Sequence, residues 1–94
     1  MVHEYALLTV AVDDVDAFEA SHPAASSILL SSPGCRSVEF QRSIDEPGIY
    51  LMKVGWDRVE DHLDTFASSA AAIELSEVIG RYFSSPPTVA HFER

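Results

Sequence analysis

The chain has 94 residues, 47% hydrophobic and 22% charged, a composition that excludes intrinsic disorder and a collagen-like repeat. Six basic against fifteen acidic residues leave a formal net charge of -9, and that field repels phosphate backbones and anionic headgroups, so nucleic acid and membrane are not expected partners. One cysteine, Cys35, forms no internal disulfide, the opening MVHEYALLTVAV lacks signal-peptide features, and no apolar run reaches the roughly 18–20 residues of a membrane span, so a cytoplasmic chain is expected.

His3 to Val12 reads as a first strand, with Tyr5, Leu7, Thr9 and Ala11 on one face and Ala6, Leu8, Val10 and Val12 on the other. A strand apolar on both faces is covered on both. Asp13 and Asp14 offer an N-cap for a helix with Asp16 and Glu19 in its first turn. Val15, Phe18, His22, Ala25 and Leu29 form its apolar stripe, and Pro23 kinks or restarts it.

The turn SSPGCRS leads into a second strand from Cys35 to Ser43, and IDEPG turns the chain back into a third from Ile49 to Trp56. Asp57 then caps a second helix with Glu60 at its third position, and Val59, Leu63, Phe66, Ala70 and Ile73 are its expected buried stripe. Leu75 to Phe83 is helical with a break near Gly80, and SSPP resets the chain into a last strand, Thr88 to Glu93.

The order βαββαβ predicts an α+β, ferredoxin-like fold: a four-stranded antiparallel sheet with both helices on one face. It is expected to be a single domain over residues 1–94. A chain this short buries only roughly 60–65% of its unfolded surface alone. The cheapest cover for the other sheet face is a second copy, so a homodimer is expected.

The run SPGCRSVEFQRSIDEPGIYLMKVGWDRVEDHLDTFASS, with the closing PPTVAHFE, resembles the antibiotic biosynthesis monooxygenase superfamily of dimeric α+β barrels. The matching features are the PGC turn, the EFQR strand, the DEP hairpin turn, an aromatic-rich third strand ending in Trp56, and a helix opening VEDH. The resemblance implies facing sheets in a homodimer, a pocket between sheet and helices in each subunit, and a chemistry that differs between members. One such chemistry is cofactor-independent oxygenation of polyketide-like phenols, for which the protein supplies a dry cavity, one base or hydrogen-bond donor, and orientation.

Trp56 shares a face with Tyr50, Met52 and Val54, and is either a core aromatic or, as the resemblance implies for this position, a pocket wall whose N–H orients a ligand. His62, at the margin of the second helix's stripe, is a rim residue, a satisfied core histidine or a base facing the pocket. His22 carries the same alternatives on the first helix, including a bond to a carbonyl freed by Pro23. These three are the candidate catalytic residues. Met52, Phe66, Phe40 and Tyr82 are core residues that become substrate contacts if a cavity exists. His91 aligns with Val89 and Glu93 on a face the sequence leaves open.

No metal is expected, since the four histidines and lone cysteine show no ligand spacing, and no nucleotide cofactor, since there is no glycine-rich phosphate loop. In a haem-degrading relative the Asn-Trp-His set falls on Leu7, Thr65 and Leu75 when aligned through Trp56, which disfavours haem. The phenol oxygenases often carry an asparagine where Met52 stands, which removes a polar group from the expected oxyanion or dioxygen site. The leading expectation is a cofactor-independent monooxygenase acting on a small aromatic or polyketide-like compound. The rival is a non-catalytic small-ligand-binding or structural homodimer of the same fold.

Overall fold

The structure is a computed structural model that describes residues 1–94. Strands β1 (Val2–Thr9), β2 (Cys35–Arg42), β3 (Ile49–Trp56) and β4 (Thr88–Glu93) form one antiparallel sheet in the order β2-β3-β1-β4. The helices α1 (Val15–Ala20), α2 (His22–Leu30) and α3 (Ala70–Val78) cover one face, giving the expected ferredoxin-like α+β arrangement. No helix is long and apolar enough to cross a membrane.

The core follows from the alternation of side chains along strands. Ala6, Leu8 and Val10 from β1 and its extension, and Tyr50, Met52, Val54 and Trp56 from β3, meet Phe18, Ala25, Leu29, Phe66 and Ile79 from the covering layer. β1 ends sooner than the sequence suggests: past Thr9 only Val10 pairs, bridging Phe83, and Val12–Asp14 form a short 3-10 turn. The expected break falls at Pro23, which sits in the first turn of α2, where its missing N–H costs nothing. Neither Asp13 nor Asp14 caps α1 through its side chain.

The second helical region departs most from expectation. Asp57 does not cap it, because both carboxylate oxygens are taken by the Arg36 guanidinium at 2.9 and 2.6 Å. Asp61 instead accepts the Arg58 backbone N–H at 3.1 Å. Asp61–Phe66 is a π-helix, closed by the Ala67 N–H bonded to the His62 carbonyl at 3.1 Å. The expected stripe therefore holds only in part: Phe66 is buried, Leu63 in the π-helix is 54% exposed, and Ala70 and Ile73, which belong to the separate helix α3, also face outward, Ile73 at 65%. An i→i+5 turn holds one residue more than an α-turn, so Phe66 keeps its inward place while His62, not Leu63, shares it.

Gly34 makes room for this turn. Its φ is +82°, and a Cβ there would lie 2.2 Å from Asp61 Oδ2. Gly34→Ala is expected to cost about 1–3 kcal/mol, read as a fall in the urea midpoint at constant slope, because it imposes left-handed strain and displaces Asp61.

Candidate active site

β1 sends Val2, Glu4, Ala6 and Leu8 to the helix side, and all four are buried. A carboxylate thus stands within an apolar row. Its Oε1 accepts the Trp56 indole N–H at 3.0 Å and lies 3.5 Å from His62 Nε2. Burial pushes the Glu4 carboxyl above its ordinary range, opposed by the Trp56 bond and the field of His91.

The fully buried Trp56 ring stacks on His62 with centroids 5.3 Å apart and planes 12° from parallel, and Phe66 tilts against both rings, 5.6 Å from Trp56 and 6.2 Å from His62. His62 Nδ1 is 2.8 Å from His91 Nε2, so one ring donates to the other. His91 pairs directly opposite Glu4 in the β1–β4 ladder, and residues opposite each other share a sheet face. That places His91 on the helix side, the face the sequence left open. Burial, then the neighbouring His91, lowers the His62 pKa below the ordinary imidazole value.

Beside this group lies a pocket of about 340 Å³ between the sheet and α3. Its floor is Glu4, Ala6, Leu8, Met52 and Val89, and its roof includes Leu75 and Ile79. Eight of its twelve lining residues are hydrophobic and only Glu4 is ionisable, so a ligand there meets grease and one carboxylate.

The candidate residues separate into two groups. Met52 lines the pocket, while Trp56, His62 and Phe66 stand behind Glu4 without lining it. His22, Phe40 and Tyr82 lie elsewhere: His22 stacks on Phe40 at 3.9 Å and meets Phe18 edge-on at 4.7 Å, and Tyr82 is 6.2 Å from Phe18. The strand order explains the division. α2 packs on the β2 side of the sheet, whereas the pocket opens over β1 and β4 beneath α3. His22 Nε2 is buried without a hydrogen-bond partner, and burial lowers that imidazole's pKa.

Glu4 is the residue that sequence reasoning missed. The available signal was parity, because Glu4 is in phase with Ala6, Leu8 and Val10. Cys35 is free and buried, and burial raises its thiol pKa, the opposite of an activated nucleophile. No three His, Cys, Asp or Glu side chains group so as to hold a metal ion.

Comparison with known proteins agrees with this architecture. A Bordetella bronchiseptica protein, a candidate antibiotic biosynthesis monooxygenase, is 31% identical, superposes with a TM-score of 0.95, and is matched over 99% of this chain and 95% of its own. The uncharacterized Bacillus subtilis protein YczJ is 29% identical over 93 residues, 99% of this chain and 98% of that one. SnoaB, a cofactor-independent oxygenase from Streptomyces nogalater, shares the fold with a TM-score of 0.77 at 15% identity, over 99% of this chain and 91% of its own. Residues 1–75 match the antibiotic biosynthesis monooxygenase family, and the chain belongs to it.

Proposed function

We propose that the protein is a cofactor-independent monooxygenase that oxidises a small aromatic or polyketide-like compound in the pocket under α3. The observation that supports this reading is the isolation of Glu4 as the one ionisable group in an apolar cavity. An anthrone-type substrate has an acidic methylene beside aromatic rings. Glu4 takes a proton from it, the electron pair left on carbon reduces dioxygen, and the balance is CH2 + O2 → C=O + H2O. Burial makes Glu4 a stronger base and keeps water from the carbanion. Trp56 fixes the carboxylate, and Met52, Leu8 and Val89 pack against the rings. His22, over the other half of the sheet, takes no part in this step.

Purified protein incubated with a panel of anthrone-type phenols is expected to consume oxygen above the buffer rate. No uptake across the panel removes the enzyme reading, and tight binding without uptake supports the non-catalytic ligand-binding reading in its place.

We also propose that the working unit is a homodimer. The sheet face away from the helices carries Tyr5, Leu7, Leu51 and Phe92, with Leu7 47% and Phe92 59% exposed. Tyr5 and Phe92 form an edge-to-face pair at 5.2 Å, a rigid aromatic centre for a facing copy. Phe92→Glu is expected to weaken self-association by about 2 kcal/mol or more, measured by a dilution series in analytical ultracentrifugation. A wild-type chain that sediments as a monomer at every concentration overturns the assembly.

A further inference from the structure

We propose that Glu4, His62 and His91 form a proton path joining the pocket under α3 to the protein surface beside β4. The inference rests on the reading of Glu4 as the acid-base group of that pocket, and it assigns the two histidines behind it a task beyond holding it in place.

The geometry is continuous. Glu4 lines the pocket, its Oε1 lies 3.5 Å from His62 Nε2, and His62 Nδ1 lies 2.8 Å from His91 Nε2. His91 in turn lines a separate hollow of about 220 Å³ with Val2, Val59, Phe92 and Glu93. The three side chains therefore connect one cavity to another through the layer between them. Trp56 stacks along His62 and bonds Glu4, which holds the first two members in line and keeps apolar walls around them.

Three separate elements supply the path: β1, the π-helix and β4. Glu4 and His91 face each other across the ladder, and the π-turn is what swings His62 over both. The Glu4–His62 separation is longer than an ordinary hydrogen bond, as is common for proton-transfer groups before a ligand is bound.

A proton taken at Glu4 passes to His62 Nε2 when His62 carries its own proton on Nδ1. His62 then releases the Nδ1 proton to His91 Nε2, and His91 releases its Nδ1 proton to solvent. One proton enters, one leaves, and Glu4 returns to the carboxylate. The other titratable groups beside this set are the Cys35 thiol at the start of β2 and Glu93 of β4, which shares the hollow with His91. Two imidazoles 2.8 Å apart cannot both hold a charge at low cost, so the pair carries one proton charge at a time. A purely structural role for the histidines needs only the hydrogen bonds and moves no proton.

The test measures exchange of the His62 ring proton with water by ¹⁵N-resolved NMR on the full chain. His91→Gln keeps an acceptor for His62 but carries no proton, and is expected to slow that exchange by about 10²-fold. Free imidazole in the buffer is expected to restore it in His91→Ala, entering through the adjoining hollow. Unchanged exchange in both variants overturns the path. Circular dichroism identifies an unfolded variant, and exchange in the wild type then decides: a His62 ring proton that exchanges with water much faster than the core amides supports the path, and one protected as long as they are sinks it. Because no substrate is turned over, this result is separable from the oxygen-uptake result.

Discussion

Replacing Trp56 with alanine is expected to lower folding stability by about 3–5 kcal/mol, the range for truncating a fully buried large aromatic. The indole fills the space between β3 and the π-helix, stacking on His62 and meeting Phe66 at a tilt, and nothing smaller can occupy it without leaving a void. Its loss also strips the buried Glu4 of its one N–H donor at hydrogen-bond distance. Trp56→Phe narrows the comparison, since it removes the donor while leaving a smaller void than alanine does, at an expected cost of about 1–3 kcal/mol. Urea denaturation at constant slope reads both. An alanine variant within 1 kcal/mol of wild type, taken as about the scale of a surface change, contradicts the packing described for this corner.

The second large effect falls on Glu4. Glu4→Gln is expected to reduce oxygen uptake with a responsive phenol by about 10²–10⁴-fold, the usual worth of a positioned proton acceptor. The amide still accepts the Trp56 N–H, so the shape of the pocket survives while the base is gone. Activity of the wild type is expected to fall on the acid side with a midpoint above 4.5, because the carboxylate must be ionised and its pKa is raised from that value by burial.

The stability of the same variant moves the other way. A carboxyl whose pKa is raised in the folded state contributes stability that is fully present below 4.5 and lost as pH rises through the folded value. At neutral pH the wild type therefore carries a penalty that Glu4→Gln lacks, and the variant is expected to be the more stable there, with the difference closing in acid. Urea midpoints at pH 7 and pH 4 measure it. Higher stability with lower activity is the pattern of a group retained for chemistry.

The bounds of β3 and β4 were legible because turn residues punctuate a local pattern: IDEPG before Ile49 and SSPP before Thr88 leave the chain few alternatives. Pro23 marked the α1–α2 break for the same local reason. The second helical region was not legible in this way. Its apolar residues fit an α-helical stripe through Leu63, and nothing local announces that Asp61, held near Gly34 and the Arg58 backbone, accompanies a wider turn.

Residue types and periodicity alone determined the element order, the sheet with its covering helices, and the inward face of Trp56, because side-chain direction in a strand depends only on position along it. Only the tertiary structure decided that Glu4, His62 and His91 meet, that His22 lies over the other half of the sheet, and that the pocket opens beneath α3. Those placements depend on which strands are neighbours and on the pitch of one helical turn, and both are set by packing between segments tens of residues apart rather than by any local preference.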